Sequence, residues 1–462
     1  MKVLFVITRL SDYRLLGPVI DCALRSKWQV ECLHDYSFPT TGMKKYLFPA
    51  IAQAPNFQHG QPSVQSYRGS AELVERLKHG DSDAVVSMAP LQTDTAGAVP
   101  NRYPVWTCVQ SGLDTLMNSS NRLKGCDLLA LYTRWWLDWA VSHYEATERV
   151  SDVSALRRSL ESRSRFVGSP EYEAVRLVDR QAVRRRWGIP SDQPVVVLLP
   201  FPQGVGRRTF WPKKIFSEPS RVRRVVNAIT HGKLSYLGAA WSDVNDVDVV
   251  SAIRNFCDRN GAFLLVKSRQ KTPIPPYLRA VSDKCIYDES FYPPTIIEAL
   301  SIANLCISYY SLGVFEAAAL RVPHFCIAHS AEDYLGNDAG NLDSLHQGEF
   351  FNRRPGGAFQ FSGVSTTASA DEAVALLQSR TLDDFGVKVS SQDEYLKKFL
   401  GEGDGQAAMR AVDAIESFVQ STDVKKRRLE WLRELKQTTG HPSDNGRIIV
   451  DPETANHGTF DS

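Results

Sequence analysis

Continuous apolar runs alternating with amphipathic segments constrain this 462-residue chain more than any other feature. A strand that is apolar on every residue must be covered on both faces, and parallel sheets flanked by helices are where such strands occur. In the first series the runs are Lys2–Thr8, Gln29–His34, Ala84–Met88, Pro104–Val109 and Asp127–Tyr132. Between them lie helical candidates such as AELVERLKHG, which puts Leu73, Val74 and Leu77 on one face. Near Phe166 the pattern restarts after a short strand, a Pro- and Gly-containing linker and a basic helix. A second series follows: Val195–Pro200, Lys233–Gly238, Ala262–Lys267, Cys285–Asp288, Leu305–Tyr310 and Pro323–Ala328. The segment SADEAVALLQS reads as a closing helix capped by Ser369, with Asp371 and Glu372 in its first turn. The fold class expected is α/β, with two doubly wound Rossmann-like domains facing across a cleft.

The expected boundaries are an N-terminal acceptor domain over 1–165, a nucleotide-donor domain over 166–412, a helix over 413–437 and a tail over 438–462. The formal net charge of +2 argues against a nucleic-acid partner. The eight cysteines form no CxxC pair and read as reduced core thiols. No HExxH or other ligand spacing is present among the ten histidines, so no protein-held metal or other cofactor is expected. No stretch reaches the roughly 18 apolar residues that span a bilayer. The reading is of a cytoplasmic protein. The cluster Lys425, Lys426, Arg427 and Arg428 beside Trp431 is either part of a helix crossing back to the first domain or a peripheral contact with the inner membrane face.

Loops at the carboxyl ends of the strands supply the candidate ligand residues. After VVVLLP, Gly204 and Gly206 allow close backbone approach, and Arg207 adds charge suited to a diphosphate. Lys267 closes a buried strand and Arg269 follows it, both placed to meet phosphate oxygens. Ser311 and Gly313 open a helix whose amide groups could face an anion. Glu316, one turn on, is an acid that can accept both hydroxyls of a ribose diol, or simply a first-turn acid favouring the helix dipole. In the first domain, Ser111 and Asp114 lie just past the strand PVWTCV, where Asp114 could take a proton from an acceptor hydroxyl. The aromatic bunch of Trp135, Trp136 and Trp139 reads as packing.

The stretches VGSPEYEAVR, RRRWGIPSDQPVVVLLPFP, AFLLVKSRQ and LCISYYSLGVFEAAALRVP together resemble the GT-B superfamily. Within it they are similar to CDP-glycerol glycerophosphotransferases and related capsule-polysaccharide transferases. The resemblance spans roughly 1–420 and is specific over about 165–330. It implies transfer of a sugar or polyol phosphate from a nucleotide-sugar or CDP-polyol donor to a polysaccharide or lipid-linked acceptor. It also implies a cationic rim, Arg207, Lys267 and Arg269, in place of a metal ion. The chain departs from that branch in three motifs. Ser111 precedes Gly112 where the branch has His-Gly, its proposed base. Lys267 is followed by Ser268, Arg269 and Gln270 where the branch has Pro-His-Pro, and Ser308-Tyr309-Tyr310-Ser311 replaces Thr-Asp-Tyr-Ser. A serine hydroxyl does not titrate near neutral pH and cannot replace an imidazole. Asp114 then supplies the base, or the mechanism needs none, or the chain is a non-catalytic homologue that keeps the nucleotide site; a nucleotide-sugar 2-epimerase-like enzyme is the second enzymatic reading.

Overall fold

The computed structural model describes residues 1–37, 54–79, 81–89, 104–116, 120–148, 150, 152–200, 246–268, 274, 276–287, 290–309, 311–328, 355–421 and 423–426. The first lobe runs β1 (Lys2–Ile7), α1 (Asp12–Arg25), β2 (Gln29–Asp35), β3 (Ser63–Tyr67), α2 (Gly69–His79), β4 (Ala84–Ser87) and β5 (Val105–Val109). It continues through α3 (Gly112–Leu116), α4 (Ser120–Gly125), β6 (Leu128–Leu131), α5 (Arg134–Glu148), α6 (Val153–Arg163) and β7 (Ser164–Phe166). A 3-10 helix (Pro170–Leu177) and α7 (Arg180–Trp187) lead into the second lobe. That lobe contains β8 (Val195–Leu199), α8 (Asp246–Arg259), β9 (Phe263–Lys267), α9 (Pro276–Val281), β10 (Lys284–Ile286) and α10 (Thr295–Ser301). It is completed by β11 (Leu305–Ser308), α11 (Gly313–Ala319), β12 (His324–Ala328), β13 (Ser365–Ser369) and α12 (Ala370–Ser379), and α13 (Val389–Phe399) and α14 (Ala407–Val419) follow.

Each lobe is built on a parallel sheet. The first has the order β3-β2-β1-β4-β5-β6-β7, the second β10-β9-β8-β11-β12-β13. In both, the strand order reverses at the centre, between β1 and β4 and between β8 and β11. At such a reversal neighbouring crossovers leave to opposite faces and open a crevice at the carboxyl ends of the strands. The apolar runs read from sequence occupy the sheet interiors, fully buried along β4, β5, β6, β8 and β11. Two edge strands have no apolar run to announce them. β3 reads SVQSY and leaves most of its residues exposed, and β13 reads STTAS. β7, expected to open the second domain, instead pairs with β6 as the outer strand of the first sheet. The run Lys233–Gly238 lies outside the described residues.

Ser369 caps α12, accepting from the Glu372 amide while Glu372 bonds back to the Ser369 amide, as its sequence requires. The last helices do not stay with the second lobe. Trp136 in α5 donates its indole N–H to the Phe399 carbonyl at 2.7 Å, and Thr133 donates to the Lys398 carbonyl at 2.6 Å. Glu173 accepts from the Ala408 amide at 2.9 Å. Ala411, Val412 and Ile415 join the core that also contains Val3, Trp136 and Phe315. The expected helix from Asp413 thus begins six residues earlier, at Ala407, and turns at Gln420. Lys425 and Lys426 are exposed beyond it, and Arg427, Arg428 and Trp431 lie outside the described residues.

Candidate functional site

The two strand reversals place the turns after β1 and after β11 on the ligand edges of their sheets. After β1, Asp12 organises the turn: its Oδ2 accepts from the Thr8 amide at 2.8 Å, the Thr8 hydroxyl at 2.8 Å and the Arg9 amide at 3.0 Å. Burial pushes this carboxyl up to about 6, against the pull of those donors. Two residues on, Arg14 reaches across the lobes. Its Nε donates to Glu171, in the interlobe 3-10 helix, and its Nη2 donates to Glu316 in α11. The Glu171 and Glu316 side chains are 8% and 2% exposed, whereas Arg14 retains 30%. Burial works against the guanidinium charge, but the two carboxylates outweigh it and hold the group protonated well above its ordinary range.

A second crossing lies alongside. The turn after β5 is fixed by Gln110, whose Oε1 accepts from the Tyr132 amide at 2.8 Å and whose Nε2 donates to the Gly112 carbonyl at 3.1 Å. The Gly112 amide donates to the Tyr132 hydroxyl at 3.2 Å. Burial first, then the Glu171 carboxylate, pushes that hydroxyl's pKa up, so it stays a neutral phenol. A side chain at Gly112 would sit 3.5 Å from Leu312 Cδ1, so this turn faces the α11 turn directly.

The sequence candidates divide on this frame. Ser111, half-buried, opens the turn at Gly112, with its amide donating to Thr115 Oγ1 at 2.8 Å. Asp114 lies in α3, its side chain outside the described part. Ser311 and Gly313 sit on the opposite bank, but they bond to each other: the Gly313 amide donates to Ser311 Oγ at 3.1 Å. A Cβ at Gly313 would lie 2.5 Å from Leu199 Cδ1, so a larger residue there would make that side chain shift. In place of the expected anion, the Gly313 amide meets the Ser311 hydroxyl. Glu316 is 1% exposed and bound to Arg14, so the acid expected to clasp a ribose serves the interlobe ion pair. Lys267 closes β9 as expected but is 7% exposed, with its ammonium donating to the Ser268 carbonyl at 2.6 Å. Gly204, Gly206, Arg207 and Arg269, and Tyr310 between β11 and α11, lie outside the described residues.

Arg14 and Asp12 were not singled out from sequence. The signal was present: TRLSDYR puts three charges directly after the first apolar strand, the position that drew attention to Lys267. A cavity of about 240 Å³ lined by Arg180, Arg184 and Asn304 is a different feature. It opens at the amino end of β11, the edge away from the crevice, and Arg184 there binds the Pro190 and Gln193 carbonyls. Among the described residues no helix is long and apolar enough to cross a membrane.

No protein-family model matches the chain. No curated protein matches it either. Solved structures do. A protein described as a UDP-N-acetylglucosamine 2-epimerase from Listeria monocytogenes superposes with a TM-score of 0.50 at 13% identity, covering 92% of this chain and 98% of the other. The wall teichoic acid polymerase TagF gives 0.50 at 13%, covering 91% and 89%. UDP-GlcNAc 2-epimerase from Methanocaldococcus jannaschii gives 0.50 at 12%, covering 90% and 100%. With its two facing parallel sheets and their flanking helices, the chain has the GT-B fold.

Proposed function

We propose that the chain is a nucleotide-sugar-dependent enzyme, and specifically a transferase that moves a sugar or polyol phosphate from a nucleotide donor to a cell-envelope polysaccharide or lipid-linked acceptor. The observation that carries this reading is the apposition of the Gly112 turn of the first lobe and the Leu312 turn of the second, at the carboxyl ends of β5 and β11. In such folds a ligand lodges where these carboxyl ends face each other.

On this reading the nucleotide sits on the second lobe. Lys267, with Arg207 and Arg269 from the neighbouring loops, neutralises the diphosphate as it leaves, by fixed positive charge in a partly desolvated crevice. Asp114, in the helix that opens at Gly112, takes the acceptor proton. The titratable group absent from Ser111 is thereby supplied three residues on. A 2-epimerase-like activity is the second reading, supported by the structural likeness to proteins bearing that name.

Thermal-shift measurements with CDP-, UDP- and GDP-linked sugars and polyols test the nucleotide site, because a ligand bound only by the folded state raises the melting temperature. One donor class is expected to stabilise the wild type, and Lys267→Ala to remove at least most of that shift. No stabilisation by any class would overturn the reading. Product analysis then separates the two activities, since transfer requires an acceptor and epimerisation consumes the donor alone.

A further inference from the structure

Arg14 carries more hydrogen-bonding capacity than the ion pairs use. A guanidinium has five N–H donors in one plane. Here the Nε donor goes to Glu171 and one Nη2 donor to Glu316, while Nη1 has no hydrogen-bond partner among the described residues. The carboxylates on the two engaged positions are almost wholly buried, whereas the Arg14 side chain keeps 30% of its surface accessible. Two acids from the 3-10 helix and α11 lock the plane, and Tyr132, whose hydroxyl accepts from the Gly112 amide, lies within electrostatic reach of it.

We propose that the Nη1 edge of Arg14 binds hydroxyl groups of the carbohydrate or polyol portion of the nucleotide donor, with Glu171 and Glu316 as positioning residues. The charge count selects the ligand. Among the described residues one guanidinium faces two carboxylates, an excess of negative charge that disfavours a phosphate group. Neutral hydroxyls suffer no such repulsion, and they can accept from Nη1 at no cost in ion pairing. The fixed plane matters too, because an arginine already held in place loses little freedom when it binds. The inference rests on the nucleotide-dependent reading above and assigns the first lobe a part in recognising the transferred group.

The test compares affinities for UDP with UDP-N-acetylglucosamine, and for CDP with CDP-glycerol, by titration calorimetry. The wild type is expected to bind one of the two complete donors about 10-fold more tightly than its bare diphosphate. Arg14→Lys keeps the charge between the two acids but has no second amino group to offer. It should bind the bare diphosphate within about 2-fold of wild type and lose the 10-fold increment. Should the lysine variant fail to fold, Arg14→Met combined with Glu171→Gln and Glu316→Gln leaves no stranded charge and is expected to give the same pattern. Equal loss for diphosphate and complete donor would overturn the inference, as would retention of the increment. A wild type that binds the diphosphate but gains nothing from the attached group refutes the inference alone. Binding of neither refutes the nucleotide reading and this inference with it.

Discussion

Gly401→Ala is expected to destabilise the junction between the lobes, and the structure gives the size of the effect. Gly401 has φ +101°, a region that L residues enter only with strain. Moving an alanine into left-handed space costs about 1–2 kcal/mol. The new methyl would also lie 2.7 Å from Gly168 Cα and 3.6 Å from the Tyr132 carbonyl oxygen. Both neighbours are backbone, so the strain cannot be relieved by turning a side chain. Overpacking of this kind adds about 1–3 kcal/mol, for a total of about 2–5 kcal/mol. In a chain of this size, with an unfolding entropy of about 1 kcal/mol/K, that corresponds to a fall in melting temperature of roughly 2–5 °C. Gly188→Ala is the control: it caps α7 at φ +69° with nothing within 4 Å of a new methyl, so it carries the backbone cost alone, about 2 °C. Circular dichroism melts of the two variants and wild type measure the difference. If Gly401→Ala melts no lower than Gly188→Ala, the close backbone approach at this junction does not cost what the 2.7 Å contact requires.

Three further outcomes are expected. His324 is held at about 3 and His34 at about 4, both below the ordinary 6.5, because burial disfavours the charged ring. Unfolding therefore takes up a proton at each site, and stability is full above about pH 6.5 and falls as pH drops towards 4 and then 3. The slope is about 1.4 kcal/mol per pH unit for each histidine. Urea titrations across that window measure it, and a flat profile would count against both assignments. Trp136→Phe removes the donor to the Phe399 carbonyl and is expected to cost about 1–3 kcal/mol in the same titration, whereas an unchanged midpoint would mean that the C-terminal crossing does not depend on this bond. Ser369→Ala should cost about 1 kcal/mol by loss of the α12 cap, and Ser369→Asp, which can still cap, should restore most of it.

The sheets were legible because their central strands are buried on both faces and so declare themselves as uninterrupted apolar runs. β3 escaped because most of its residues are exposed, and β13 because its buried Ser365 and Thr367 hydroxyls donate to the Phe359 carbonyl where an apolar run would be expected. β7 was visible as a strand but went to the wrong sheet, since three residues, SRF, carry too little pattern to name a partner. The bunched tryptophans read as packing and are packing: Trp135 stacks edge-on to Phe399 at 4.9 Å. The individual polar roles were less legible. Glu316 has the same sequence context whether it meets a ribose or an arginine, and Arg14 lies some 300 positions away. Gly313 reads the same in sequence whether a ligand or a neighbouring side chain lies against it, and only the fold shows that Leu199 does.

The docking of α13 and α14 onto the first lobe has a consequence for how the chain is made. Tyr395, Phe399, Ala411 and Ile415 complete a core whose other members begin at Val3. A ribosome therefore releases the whole first lobe long before its hydrophobic interior can be sealed. Until residue 415 emerges, the nascent lobe keeps the Trp136 face uncovered. Severing the chain at the interlobe linker would leave the early fragment without these late members of its core.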